Sequence, residues 1–253
     1  MQQTEILGFK VFSGTLDDIS WDHAPKVVNT INAYSYVVTK KDPLFRKALM
    51  NSDVLVPDGF PVVIAARIKG DRKMRKIAGA DILLYLLKLL EKQNGKCFFL
   101  GSEEKTLRLI EERIHKEYPS VQVFSYSPPF RENFSDSENR EMRERINSCK
   151  PDVLFVGMTA PKQEKWVLTN SKAIDPCIIC SIGAAFDYFA GTLPRPSPFW
   201  IKIGMEWFIR LLKEPGRLWR RYLVHSPVFF FDLFKCMVLR EKQCNHPEKN
   251  DYL

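Results

Sequence analysis

Residues 96–127 read KCFFLGSEEKTLRLIEERIHKEYPSVQVFSYS. The opening run is apolar from Cys97 to Leu100 and closes on Gly101-Ser102, the pattern of a short buried strand followed by a turn. Over 103–117 the apolar residues Leu107, Ile110 and Ile114 recur at spacings of three and four with charges between them, which predicts an amphipathic helix laid on a sheet. VQVFSYS at 121–127 is strand-like again. Strand, one-sided helix and second strand in so short a span form the repeating unit of a parallel sheet with helical cover.

The same rhythm extends in both directions. Strand-like runs are KVVNTIN (26–32), DVLVPD (53–58), DVLFVGM (152–158) and CIICSIG (177–183), and helical segments are predicted at 42–52, 60–68, 79–93, 136–148 and 161–173. The expected fold is α/β, a doubly wound and mostly parallel sheet covered on both faces. The alternation ends at GTLPRPSPFW (191–200), where prolines break the pattern, and the residues beyond it are helical, aromatic and basic. This divides the chain into an α/β domain, 1–194, and a helical appendage, 195–253.

Charge is uneven. The 253 residues carry a net +8, which favours anionic partners such as nucleotides, phospholipid surfaces or nucleic acid. Between 195 and 225, seven basic residues stand against Glu206 and Glu214, so most of the excess lies in the appendage. Its run VFFFDLFKCMVL (228–239) is too short to span a bilayer, which takes roughly 20 residues, and suits a helix lying in an interface beside a basic patch. Residues 1–20 lack a basic-then-apolar leader, so a cytosolic chain is expected. The cysteines fit that, being scattered and mostly within apolar runs. Cys177 and Cys180 have CxxC spacing, but on a strand they point to opposite faces, so a structural role is expected rather than a metal site.

Several chemistries are disfavoured by absent motifs. There is no GxGxxG, no GxxxxGK[ST], no GxSxG and no DxD, and the four histidines lie away from the strand ends. In a doubly wound sheet ligands bind at the carboxyl ends of strands. The residues there are Thr30, Asn32, Asp58, Gly59, Gly101, Ser102, Gly157, Thr159, Gly183 and Asp187. Each alone reads as ordinary turn chemistry, and only their convergence on one edge argues for a site. Asp58 stands out as a carboxylate joining two apolar runs. PKQEKW (161–166) sets Pro161, Lys162 and Gln163 at a helix start, where the positive end suits an anionic ligand. Arg210, Arg217, Arg220 and Arg221 punctuate GMEWFIRLLKEPGRLWRRYL (204–223), and the planar fork of arginine suits a diphosphate.

Taken in order, TINA with Thr30 and Asn32, VPDG with Asp58, AGAD (78–81), PPF (128–130), PKQEKW, GAAFDYFAG (183–191) and the arginine-rich segment resemble the WecG/TagA/CpsF glycosyltransferases, family 26, from about residue 5 to 240. The resemblance implies a Rossmann-like fold and an inverting, metal-independent transfer of a sugar from a UDP-sugar to a glycan on undecaprenyl pyrophosphate. The work would be done by a peripheral protein on the cytoplasmic face of the cell membrane, in surface polysaccharide synthesis. By position, Asp58 resembles the catalytic base, Thr30 and Asn32 its neighbours, and Gln163 a donor-pocket residue. Gly59, Lys162 and Asp187 join the expected substrate pocket, and Arg210, Arg217, Arg220 and Arg221 resemble arginines closing over the diphosphate.

Three departures bear on this. Lys76, with Arg75 beside it, stands where relatives carry arginine; the strand end before PKQE is Gly157-Met158-Thr159; and Arg195-Pro196-Ser197 replaces RAP. No cofactor is expected. The alternatives are a nucleotide-sugar-binding protein without transfer and, on net charge alone, a nucleic-acid binder, which the interleaved tryptophans and phenylalanine run disfavour. Which sugar moves, and whether the chain forms a homo-oligomer, stay open.

Overall fold

The computed structural model describes residues 1–21, 25–175, 177–194, 200, 206–213 and 215–238. The chain enters through an antiparallel hairpin, β1 (Gln3–Ile6) and β2 (Phe9–Phe12). Then come β3 (Lys26–Ile31), α1 (Ala33–Thr39), α2 (Pro43–Met50), β4 (Val54–Pro57), α3 (Phe60–Ile68), α4 (Gly79–Gln93), β5 (Lys96–Gly101), α5 (Glu104–Glu117) and β6 (Gln122–Tyr126). The α/β unit ends with α6 (Asp136–Cys149), β7 (Val153–Gly157), α7 (Lys162–Asn170), β8 (Ile178–Ser181) and α8 (Ala184–Ala190). Six strands form one parallel sheet in the order β4-β3-β8-β7-β5-β6. The doubly wound expectation holds, and all six strand-like runs are its strands.

Alternation along each strand divides the core into layers. Val28, Val56, Phe99, Phe155 and Cys180 face α4, α5 and α8, including the predicted Leu107, Ile110 and Ile114. On the other face Phe98, Leu154, Cys177 and Ile179 lie under α6 and α7, while Ile31 and Leu55 lie under α1, α2, α3 and the hairpin. Cys177 and Cys180 therefore do occupy opposite faces. Both are free, and burial pushes the Cys177 thiol up to about 12.

Two helices were not expected. AYSYVVT, rich in β-branched and aromatic residues, reads as a strand but forms α1, because Asn32 Oδ1 accepts from Ser35 N at 3.0 Å while Ser35 Oγ accepts from Asn32 N at 2.8 Å. Burial of Tyr36 beside Phe9 and Phe229 completes the override. The other is α8, a short helix closed by Gly191 in the left-handed region.

The appendage is helical wherever it is described: α9 (Glu206–Lys213), α10 (Pro215–Trp219), a π-helical stretch Arg220–His225, and α11 (Ser226–Val238). The run at 228–239, read as suited to an interface, is apolar on two sides, and one of them packs on the α/β unit. Phe229, Leu233 and Cys236, at helical spacing, are buried in one cluster with Phe9, Tyr36, Leu55 and Met74. The opposite side of α11 exposes Phe231, Phe234, Met237 and Val238. No described helix is long and apolar enough to cross a membrane.

Candidate active site

Four neighbouring strands, β4-β3-β8-β7, end at one edge and bring most of the predicted residues together there. Ile31 pairs with Pro57, and Asp58 N donates to Ile31 O at 2.8 Å, so the ladder runs one step past the strands and sets Asp58 beside Asn32. Asp58 is half-buried. Gly59 comes next with φ +141°, a conformation that L side chains rarely adopt, and starts α3 there. Thr30 pairs with Val56 one step below, half-buried on the α4 side of the sheet. Asn32 does double duty, since its side-chain oxygen caps α1.

The connection back to α4 returns to the same place, where Ile77 N donates to Pro57 O at 2.9 Å. This stations Lys76, half-buried, with Nζ 5.8 Å from the ring centroid of Phe60, two residues from Asp58. Arg75 is exposed. Asp81 Oδ2 accepts from Ala78 N at 3.0 Å and fixes the start of α4, where Gly79 lies against Ile182. AGAD is thus a helix start packed on the end of β8, and its positive end faces this edge.

On the β8–β7 side the polar groups are turned inward. Gln163 is 5% exposed. Its Oε1 accepts from Met158 N at 3.2 Å and Gly183 N at 3.1 Å, tying the turn after β7 to the turn after β8. Its Nε2 donates to Glu164 Oε1 at 2.9 Å, which leaves one amide hydrogen for any ligand. At Gly183 a Cβ would lie 2.3 Å from Met158 O and 2.7 Å from Gln163 Oε1, so only glycine lets the two turns approach this closely. Glu164, in the same PKQEKW motif, is 3% exposed, and burial pushes its carboxyl up to about 7.

Two predicted residues make contacts of their own away from Asp58. Lys162 donates to Arg131 O and sits 3.7 Å from the ring centroid of Phe134; burial pulls its ammonium below the usual lysine range, opposed by Glu138. Asp187 lies in the first turn of α8, and its carbonyl accepts from Thr192 Oγ1 at 3.1 Å and Leu193 N at 3.2 Å. Arg210, Arg217, Arg220 and Arg221 lie in the helical stretches 206–213 and 215–225, with side chains outside the described set, and Arg195-Pro196-Ser197 lies outside the described residues altogether. Among the described residues no group of three or more His, Cys, Asp or Glu is placed to hold a metal ion.

The edge therefore carries a carboxylate and a cation at its β4–β3 end and a tightly closed pair of turns at its β8–β7 end. Comparison with known proteins gives this arrangement a family. The profile of the Glycosyl transferase WecG/TagA/CpsF family matches residues 5–243. The chain belongs to this family of glycosyltransferases. Similar relatives include an N-acetylglucosaminyldiphosphoundecaprenol N-acetyl-beta-D-mannosaminyltransferase of Bacillus subtilis, 28% identical over 197 residues, 78% of this chain and 75% of that protein. Proteins of the same name from Bacillus spizizenii, 28% identical over 72% of this chain and 69% of its own length, and Staphylococcus aureus, 26% identical over 83% and 77%, are also similar.

Sequence reasoning about this glycosyltransferase missed Glu164, which reads as one charge among several on a solvated helix start. It also missed the bracing hydrogen bonds of Gln163. The available signal was Trp166, which with Gln163 places the buried face of α7 on the side where Glu164 also falls.

Proposed function

We propose that this glycosyltransferase moves a sugar from a UDP-sugar to a glycan carried on undecaprenyl pyrophosphate, with inversion and without a metal, at the inner face of the cell membrane, in surface polysaccharide synthesis. The observation that carries the reading is Asp58, half-buried at the end of β4 and registered beside Asn32, in a chain whose relatives are named for transfer to a sugar–diphosphoundecaprenol. Asp58 accepts the proton of the acceptor hydroxyl as that oxygen bonds to the anomeric carbon and the bond to UDP breaks. Negative charge grows on the departing diphosphate. Lys76, Arg210, Arg217, Arg220 and Arg221 offset it, with the helix start at Gly79 adding its partial positive charge.

Membrane docking has support in the tail, where Trp219, Leu223, Phe231 and Phe234 are exposed among basic residues. Aromatic and aliphatic groups beside Lys and Arg suit an anionic lipid surface.

The test is turnover with a panel of UDP-sugars and a short-chain N-acetylglucosaminyl lipid diphosphate. Asp58→Asn is expected to lower kcat by about two decades or more, the scale of general-base catalysis, with Tm and UDP affinity near wild type. An Asp58→Asn enzyme of ordinary rate refutes the base, and a wild-type chain inert with every UDP-sugar refutes the donor class.

A further inference from the structure

Glu164 plays no part in the chemistry above, yet it is a carboxylate sealed into the protein without a described cation paired to it. It faces the slot between α2 and α7 over β3, a cavity of about 310 Å³ that Asn29, Ala48, Val167 and, at its rim, Lys172 also line. Its Oε1 accepts from Gln163 Nε2, and its Oε2 has no protein partner; nor does Oδ1 of Asn29, which is 1% exposed. Burying such a group is costly, so its place on α7 calls for a compensating use.

The use lies in the side chain it touches. An amide has two nearly isosteric ends, and only one orientation of Gln163 serves this edge. With Oε1 toward Met158 N and Gly183 N, both backbone donors are satisfied. Turned over, the amide would oppose its NH2 group to both, and would present its oxygen to the Glu164 carboxylate. In its ionised form the Glu164 carboxylate accepts only, so it reinforces the orientation that the two backbone donors also require and that holds the two turns together. The crowding at Gly183 shows how little slack that junction has.

We propose that Glu164 is a positioning residue for the sugar donor: it orients the Gln163 amide, and through it sets the spacing of the turns after β7 and β8 against which the donor nucleotide binds. This rests on the function proposed above.

Two measurements on the full chain separate the parts, for wild type, Glu164→Gln and Glu164→Leu. Hydrogen exchange at the Met158 and Gly183 amides reads the brace without any ligand; UDP titration, with KM for donor and acceptor, reads its consequence. Glu164→Leu removes a buried unpaired charge at similar volume, so its Tm should hold or rise. Exchange at the two amides should nevertheless quicken, and UDP affinity and donor KM should worsen about tenfold to a hundredfold, the range of a hydrogen bond to a charged group, with acceptor KM unchanged. Glu164→Gln, whose amide can accept from Gln163 but can also donate to it, should fall between wild type and Glu164→Leu. Unchanged exchange in Glu164→Leu overturns the brace, and a loss of binding that merely tracks a fall in Tm overturns the positioning role. Wild type that binds no UDP overturns the donor reading instead, and the exchange result still decides the brace.

Discussion

At the β4–β3 end of the sheet edge, Asp58 and Asn32 stand half-buried; at the β8–β7 end, Gln163 and Glu164 are 5% and 3% exposed and bond to backbone and to each other. The first half presents groups and the second holds shape. Local devices suffice for presentation: one extra rung of the parallel ladder places Asp58, a positive φ at Gly59 turns the chain away, and a capping box fixes Asn32. Shape-holding needs tertiary burial, with an amide reaching across from α7 and a glycine that leaves it room. The halves differ also in what lies behind them, since α11 packs on α1, α3 and the hairpin, behind the β4–β3 half.

That support gives the largest expected effect. Phe229 is 1% exposed and meets Tyr36 edge-to-face at 5.4 Å, so Phe229→Ala should cost about 3–5 kcal/mol of unfolding free energy. Phe231, two residues on and 67% exposed, should cost no more than about 0.5 kcal/mol when changed to Ala. Denaturant unfolding of both variants measures the contrast. The order should reverse on anionic vesicles, where Phe231→Ser with Phe234→Ser weakens sedimentation and Phe229→Ala, while folded, does not. Equal stability losses would mean that α11 is no part of the core behind Asp58.

The next effect lies in the other half. The Glu164 carboxyl, near 4.5 in an unfolded chain, is pushed up to about 7 by burial. Below pH 4.5 both states hold the proton and there is no penalty. As pH rises from 4.5 to 7 the unfolded chain releases the proton first, so stability falls across that window and levels off above it. The full drop is about 3 kcal/mol. Subtracting the pH profile of Glu164→Gln, which lacks the titration, isolates it. A difference curve that is flat between pH 4.5 and 7 would show that the carboxylate is compensated in the fold, and would remove the distinction between the two halves.

The same contrast explains what was legible in the sequence. The sheet was readable because parallel strands covered on both faces are continuous apolar runs, and helices 60–68 and 79–93 form over the predicted spans. Asp58 was readable because a strand end is a place in the chain as well as in space. Helix α1 was not, since its residues favour a strand and the deciding terms are a cap and the burial of Tyr36 against Phe229, nearly two hundred positions away. Gln163 falls at the helix start as read, but its bonds to Met158 N, Gly183 N and Glu164 were not legible, because sequence gives a side chain's address and not its partners. Glu164 was invisible for a related reason: PKQEKW is polar, and its inward face is set by α2 lying across α7. In the tail, Phe229, Leu233 and Cys236 show a helical stripe, but the exposed side of α11 is equally apolar, so pattern alone could not choose the docking face.

The smallest expected effect probes the joint between tail and body. Asp232 on α11 accepts from Tyr36 Oη at 3.0 Å and from Lys40 Nζ at 2.7 Å, both on or next to α1. Lys40 is largely exposed, so its share is that of a surface pair, about 0–1 kcal/mol. Burial and then the neighbouring Asp232 hold the Tyr36 phenol above its ordinary range, so the hydroxyl remains the donor at neutral pH. Asp232→Asn keeps an acceptor for that hydroxyl and removes only the charge. Stability should therefore fall by about 1 kcal/mol, and less as added salt screens the Lys40 pair in wild type. Because α1 begins at the Asn32 cap beside Asp58, turnover decides what the joint is for. If the tail only buttresses the β4–β3 half, kcat of Asp232→Asn should stay within about twofold of wild type, since 1 kcal/mol lost from a stable fold leaves nearly every molecule native. A much larger drop in kcat at unchanged Tm would mean that the seating of α11 carries tail residues onto the reacting groups, so that the half which presents chemistry is completed by the tail rather than merely supported by it.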